Sequence, residues 1–191
     1  MMTQKLDAKD TLKIENEKRR KILPPEQTLI NLDLQTGDVM ADIGCGIGYF
    51  TIPASKIVGK NGKILALDIS DEMLQDVEEK IIENNISNVE TILTEENNLK
   101  LESNSVTFAF ASNIIHEVEE KERFLNEIKR IICPEGKIAI LEWEKIDSDF
   151  GPPIECRLDR MDLIKLLDEL NFSTISTIDI GEDFYGIIAQ K

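Results

Sequence analysis

The chain of 191 residues contains one histidine, one tryptophan and three cysteines, and each scarcity closes off a class of chemistry. Cys45, Cys133 and Cys156 are an odd set in no metal-ligand spacing, and with one histidine in the chain a zinc cluster is hard to assemble. Reduced thiols in a cytoplasmic protein are the simple reading. Cations are scarce too: 22 Lys plus Arg stand against 37 Asp plus Glu, a formal charge of −15 that repels phosphate backbones and anionic lipid. Nucleic acid is therefore not expected as a partner. No run approaches the roughly 18 apolar residues of a membrane span, and Met1 to Asp10 lacks the apolar stretch of an export signal, so no membrane partner is expected either. The one basic cluster, Lys18-Arg19-Arg20-Lys21, is short and preceded by Glu15 and Glu17, and reads as a solvated helix face or an anion site.

What is present is a core: 41% of residues are hydrophobic, and the length suits one compact domain. From Asp38 onward short apolar runs alternate with longer amphipathic ones, the pattern of a parallel sheet covered by helices on both faces, which makes the fold class α/β. Strands are expected at Val39 to Ile43, Lys63 to Ile69, Val89 to Thr94, Val106 to Ala111 and Lys137 to Trp143, the fourth being apolar on both faces and hence central. Helices are expected from about Tyr49 to Val58, from Ser70 as N-cap with Leu74, Val77 and Ile81 buried, over Glu119 to Ile132, and over Arg160 to Leu170. Only Gly181-Glu182-Asp183 joins Ser173 to Ile180 with Phe184 to Ala189, which forces those two strands to be antiparallel. Residues 1–36 form a helical extension over the ligand site, its helices (about Asp7 to Leu23 and Glu26 to Leu32) separated at Pro24-Pro25, and residues 37–191 form the main domain.

In an open parallel sheet ligands bind beyond the carboxyl ends of the strands, where successive connections leave in opposite directions. After the first strand comes Asp42-Ile43-Gly44-Cys45-Gly46-Ile47-Gly48, whose glycines let the backbone turn sharply and approach a ligand. Nicotinamide and flavin sites also use glycines here, but they favour G-x-G-x-x-G, whose third glycine would fall on Tyr49. This chain reads G-x-G-x-G, which leans toward S-adenosylmethionine. Asp68, at the end of the second strand, can accept hydrogen bonds from both hydroxyls of a ribose. Beyond the fourth strand His116, the only imidazole, is a candidate general base or substrate-orienting group, with packing beneath the ligand or helix capping as the alternative. Leu141-Glu142-Trp143-Glu144 closes the fifth strand, where the Glu142 carboxylate could bind an amine and the Trp143 indole could pack on an acceptor. Arg20 and Arg157 are candidates for holding an acidic acceptor or the cofactor's carboxylate by bidentate bonds.

Asp42, the three glycines and Asp68, with the two final strands, resemble the class I S-adenosylmethionine-dependent methyltransferase family, particularly its methyltransferase 11 or ubiquinone/menaquinone-methyltransferase-like branch. Val39 to Phe50 is similar to that family's first motif and Leu65 to Met73 to its second. Leu125-x-Glu127-Ile128-x-Arg130-Ile131-Ile132-x-Pro134-x-Gly136 is similar to a later one, with Glu135 where a glycine is usual. The resemblance implies a Rossmann-like seven-stranded sheet in the order 3-2-1-4-5-7-6 with strand seven antiparallel, in agreement with the hairpin. It implies a cofactor site of Asp42, Gly44, Cys45, Gly46, Gly48, Asp68, Ile69 and Met73, with Glu95 or Glu96 at the adenine amino group and Ser112 and Asn113 lining the sulfonium. His116, Trp143, Arg20 and Arg157 would border the acceptor, and His116 and Glu142 are the catalytic candidates. The implied activity is methyl transfer from S-adenosylmethionine to a small molecule, releasing S-adenosylhomocysteine, with no metal and with a homodimer left open. A nicotinamide-dependent oxidoreductase and a non-catalytic adenosylmethionine-binding protein are the alternatives. Amino-methylation of nucleic acid would call for an Asn/Asp-Pro-Pro-aromatic stretch where Ser112-Asn113-Ile114-Ile115 stands, and arsenite methylation for several cysteines at the pocket.

Overall fold

The computed structural model describes residues 17–148 and 151–191. Its centre is a sheet of β1 (Val39–Ile43), β2 (Lys63–Asp68), β3 (Val89–Leu93), β4 (Val106–Ser112), β5 (Ile132–Trp143), β6 (Ser173–Ile180) and β7 (Phe184–Gln190). The order is β3-β2-β1-β4-β5-β7-β6, and β7 runs antiparallel to both β5 and β6. The expected topology is thus the observed one, with β4 in the middle. The chain steps outward from β1 through β2 to β3 and then returns to the other side of β1 with β4, so the crevice of the switch point opens at the carboxyl ends of β1 and β4.

Six helices flank the sheet among the described residues: α1 (Glu17–Ile22), α2 (Pro25–Asn31), α3 (Thr51–Val58), α4 (Asp71–Glu83), α5 (Lys121–Ile131) and α6 (Arg160–Glu169). Strand periodicity sorts β4 cleanly. Phe108 and Phe110 project into the layer holding Leu23, Leu29, Leu32, Tyr49, Phe50 and Val58. Ala109 and Ala111 project the other way, and their small side chains leave room for Phe124, Leu125, Ile128 and Ile131 of α5. The described part of the N-terminal extension belongs to the first of these layers: Leu23, Leu29, Leu32 and Leu34 are all buried, each worth roughly 2 kcal/mol in apolar area removed from water. An ion pair between Lys137 and Asp33 adds a polar tie. The part of the expected first helix ahead of Glu17 lies outside the described residues.

Element boundaries differ from expectation for local reasons. α3 begins at Thr51 and not at Tyr49, because residues 46–50 still complete the loop, with the Gly48 N–H donating to the Cys45 carbonyl at 3.0 Å. Pro53 lies in the first turn, where its missing N–H costs nothing. α4 begins after Ser70, whose Oγ accepts from the Met73 N–H at 3.4 Å, and Leu74 and Val77 are its buried face. β5 starts at Ile132, ahead of the expected Lys137. Ile132 pairs with Val106 and Lys137 with Phe108, so the residues between them bulge out of the ladder. Glu135 sits in that bulge at φ 64°, a left-handed conformation that explains why glycine is usual at this point of the motif.

Candidate functional site

The carboxyl ends of β1, β2, β3, β4 and β5 bring most of the sequence-predicted residues to one end of the sheet. The loop after β1 is sewn to the end of β2: the Gly44 and Cys45 N–H groups both donate to the Leu67 carbonyl, at 2.8 and 2.9 Å, and the Gly46 N–H donates to Asp68 Oδ2 at 2.9 Å. The other Asp68 oxygen accepts from the Ser70 N–H at 2.9 Å. Gly44 and Gly46 take φ of 68° and 52°. A Cβ on Gly44 would stand 2.8 Å from the Ile114 side chain, whereas one on Gly46 would meet nothing within 4 Å. Gly44 is therefore a packing requirement, and Gly46 presents bare backbone to open space.

Apolar surface flanks this backbone. Ile69 is 59% exposed and Leu93 45%, unusual for large aliphatic side chains at the ends of core strands, and Met73 is half-buried at the start of α4. The Thr94 N–H donates to the Asp68 carbonyl at 2.9 Å and fixes the end of β3 alongside. Next in the chain, Glu95 and Asn98 exchange main-chain hydrogen bonds at 3.1 and 3.0 Å in a tight turn. The exposed Glu95 carboxylate pairs with Lys100 at 3.4 Å, and the exposed Glu96 accepts from Asn97 Nδ2 at 3.4 Å.

The side chains of Asp42 and Cys45 are buried at the base of the glycine loop. Asp42 Oδ2 accepts from Thr51 Oγ1 at 2.6 Å, and burial pushes its carboxyl up to about 7, the Thr51 hydrogen bond opposing and the nearby Asp68 charge reinforcing the shift. Burial, with the charges of Asp42 and Asp68, also pushes the Cys45 thiol up, so it carries its proton. Thr51 was not singled out by sequence reasoning; its hydroxyl at the first position of the helix behind the loop was the available signal.

A second group forms past β4. Asn113 adopts φ 55°, its N–H donates to the Leu141 carbonyl at 2.7 Å, and its Nδ2 donates to Ser112 Oγ at 3.2 Å. The next residue, Ile114, leans on Gly44, so the loop after β4 and the glycine loop touch directly. His116 follows in a short 3₁₀ turn, with Nδ1 2.7 Å from Glu142 Oε2. Burial alone would lower the His116 pKa, but the Glu142 hydrogen bond and charge, with the Glu117 charge, outweigh both burial and the opposing Lys121 charge and leave it raised.

Two expectations are corrected in detail. Glu142 is not at the pocket rim, where it could take an amine: it is 1% exposed, and its oxygens are occupied by His116 and by the N–H groups of Ile115 and His116. Arg157 is 3% exposed, and its guanidinium donates to the carbonyls of Pro152, Glu144 and Ile146 and to Ser148 Oγ, at 2.9 to 3.0 Å, so it staples a loop and does not reach for a substrate. Trp143 is half-buried between Phe184, at 4.2 Å between centroids, and the Arg157 guanidinium, at 5.4 Å, with Gly151 pressed on its ring. Its indole therefore forms a wall held from behind. Arg20 is exposed near the Tyr49 ring, with Arg19 closer at 4.2 Å, and Tyr49 Oη donates to the Leu23 carbonyl at 2.6 Å. Among the described residues no group of three or more His, Cys, Asp or Glu could hold a metal ion, and no helix is long and apolar enough to cross a membrane.

Residues 41–140 match the family described as "Methyltransferase domain". The fold superposes on the crystal structure of a SAM dependent methyltransferase from Aquifex aeolicus with a TM-score of 0.91 and 31% identity, covering 97% of this chain and 99% of that one. Among curated proteins the chain is 30% identical over 124 residues to a demethylmenaquinone methyltransferase from Geobacillus sp. (strain WCH70), covering 65% of this chain and 53% of the relative. It is 29% identical over 150 residues to an arsenite methyltransferase from Halobacterium salinarum, covering 73% of this chain and 38% of that protein. The chain thus spans about half the length, or less, of these curated relatives.

Proposed function

This chain belongs to the class I S-adenosylmethionine-dependent methyltransferase family, and on that premise we propose that it is an enzyme that moves a methyl group from S-adenosylmethionine to a small-molecule acceptor and releases S-adenosylhomocysteine. The observation that carries the reading is the pairing of Gly46, open on its Cβ side, with an Asp68 carboxylate only half used by main-chain donors. A carboxylate offers about four acceptor positions, so the cis-diol of a ribose can be received while the loop stays tied.

The residues fit the cofactor. Asp68 would hold the ribose, Ile69 and Met73 would flank the adenine, and Glu95 or Glu96 would take its amino group. Gly44, Gly46 and Gly48 would pass the amino-acid tail close to the backbone, supported from below by Asp42 and Cys45, with Ser112 and Asn113 toward the sulfur. When bound, the cofactor supplies a methyl group on a cationic sulfur that leaves as a neutral thioether. The protein's share is to align the acceptor and exclude water, and effective molarity accounts for much of such a rate. His116 and the Trp143 wall are assigned to the acceptor, with Arg20 at its edge and the described part of the extension of residues 1–36 as a border, a placement supported by the Tyr49 to Leu23 hydrogen bond.

A small acceptor is favoured over nucleic acid by the charge of −15. The free thiols of Cys45, Cys133 and Cys156 suit the reducing cytoplasm. The buried Cys45 and the exposed Cys156 offer no thiol cluster of the kind an arsenic acceptor calls for. Calorimetry with S-adenosylmethionine, S-adenosylhomocysteine and NAD tests the reading: the first two bind and NAD does not. NAD binding without adenosylmethionine binding would overturn it in favour of an oxidoreductase.

A further inference from the structure

We infer that Glu142 is a positioning residue that fixes His116 with its proton on Nδ1 and its lone pair on Nε2, so that His116 takes the proton of a phenol- or enol-type acceptor hydroxyl and passes it to solvent beside Glu117 at the surface. The inference rests on the methyltransferase reading above.

Glu142 is buried at the end of β5, where a carboxylate persists only if it is well supplied with donors. Oε1 receives the Ile115 N–H at 2.8 Å and the His116 N–H at 3.3 Å, which hold the turn carrying the imidazole. Oε2 stands 2.7 Å from His116 Nδ1, and an ionised carboxylate can only accept, so Nδ1 must be the donor. Tyr185, opposite Glu142 in the β5–β7 register, does not compete, because its hydroxyl donates to the Leu158 carbonyl at 3.2 Å. In the neutral ring the lone pair is therefore on Nε2.

Nε2 has its own outlet. Glu117 Oε1 lies 3.9 Å away on a side chain that is 67% exposed. The charged groups around the ring are Glu142 from β5, Glu117 from the same turn, and Lys121 from α5, whose Nζ is engaged by the Val118 carbonyl at 2.6 Å. Two carboxylates against one ammonium favour the imidazolium, which is what a group that must accept a proton requires.

This arrangement selects an acceptor class. An amine that is uncharged near neutrality, such as an aromatic one, attacks through its existing lone pair, and a thiol provides thiolate near neutrality unaided, so neither calls for the device. An alkyl alcohol is too weak an acid for an imidazole to ionise. A phenol or enol, with a pKa of about 10 or below, lies within reach of it. The acceptor O–H bond breaks with its proton going to Nε2, the oxygen's electron pair forms the bond to the methyl carbon, and the carbon–sulfur pair leaves on sulfur. The imidazolium then gives its Nε2 proton to solvent beside the exposed Glu117 carboxylate, 3.9 Å away, restoring the starting state.

His116 is the only histidine, so NMR of ring nitrogens reads its tautomer without ambiguity. The neutral wild-type protein should show Nδ1 protonated and Nε2 bare; the reverse tautomer overturns the inference. In protein saturated with S-adenosylhomocysteine, para-nitrophenol should develop its coloured phenolate band at a pH where the free phenol is mostly protonated. Glu142→Gln presents an amide N–H to Nδ1 and should reverse the tautomer, lower the histidine pKa and cut the phenolate signal about tenfold, with S-adenosylhomocysteine affinity unchanged. Glu117→Gln, at an exposed position that tolerates change, should keep the tautomer and lower the pKa; an unchanged pKa removes Glu117 from the route. S-adenosylhomocysteine binding without a phenolate signal sinks the inference and leaves the methyltransferase reading standing. Failure of wild-type protein to bind S-adenosylhomocysteine sinks that reading instead.

Discussion

Asp68 receives the Gly46 N–H at 2.9 Å, and this one hydrogen bond ties the bare turn of the glycine loop to the side chain assigned to the ribose. On the proposed reading, loop geometry and sugar recognition share a carboxylate. Its other oxygen takes the Ser70 N–H, so the start of α4 depends on it as well.

Replacing Asp68 tests that sharing. Asp68→Ala should weaken S-adenosylhomocysteine binding by roughly 1–3 kcal/mol through loss of charge-assisted hydrogen bonds. Asp68→Asn, which keeps one acceptor oxygen, should fall between Ala and wild type in calorimetry. Unchanged affinity in the alanine variant would remove Asp68 from the site.

The neighbouring glycines should respond differently. Both have positive φ, so alanine at either costs about 1–2 kcal/mol in backbone strain. Gly44→Ala additionally drives a methyl group into Ile114, and Ile114→Ala in the same chain should recover part of the lost stability. Gly46→Ala has room in the protein itself, so it should lose only the backbone term and unfold later than Gly44→Ala, yet lose cofactor affinity. Thermal melts beside calorimetry separate the two, and equal affinity losses with equal stability would contradict the assignment of Gly46 as the open face.

Asp42 predicts a pH dependence of stability. Its folded pKa of about 7 lies above the ordinary 3.8, so the folded state holds the proton more tightly than the unfolded chain. The contribution is fully present below about pH 4, is lost as pH rises to about 7, and amounts to on the order of 4 kcal/mol across that window. Asp42→Asn, which keeps an oxygen for the Thr51 hydroxyl, should gain over wild type in melting temperature progressively from pH 4 to pH 7 and then level off. A constant difference at all pH values would show that the Asp42 pKa is the same in the folded and unfolded chain.

Arg157 should matter through the loop it organises. A lysine supplies one nitrogen where the guanidinium reaches three carbonyls and a hydroxyl, so Arg157→Lys should leave buried carbonyls unpaired at a cost of roughly 2–3 kcal/mol. Trp143 is the only tryptophan, and its emission should shift to the red as Gly151 and Arg157 leave its ring. An unchanged spectrum would mean the loop holds without the staple.

The strands were legible because each is a local apolar run, and the terminal hairpin because the Gly181-Glu182-Asp183 connection permits nothing else, whereas the full strand order was implied only by the family resemblance. The start of β5 was not legible, because Pro134-Glu135-Gly136 reads as an end of regular structure while the ladder resumes on either side of it. Glu135 follows from the same bulge, and Glu135→Gly should stabilise by up to about 1 kcal/mol by relieving its left-handed backbone. In the site, the glycines and Asp68 were legible because their spacing is a local pattern. The fates of Glu142 and Arg157 were hidden, since both are satisfied largely by main-chain groups distant in sequence or scattered through a loop, and amides and carbonyls have no signature in a residue string.

The placement of β7 between β5 and β6 carries a consequence for how the protein is made. Until Phe184 to Gln190 has been synthesised, β5 keeps an open edge and β6 has no partner at all, although every residue of the glycine loop and Asp68 was produced much earlier. Residues that would bind the cofactor therefore leave the ribosome ahead of the strand that closes the sheet. During that interval β5 is the edge that a neighbouring chain, or a chaperone, could cover.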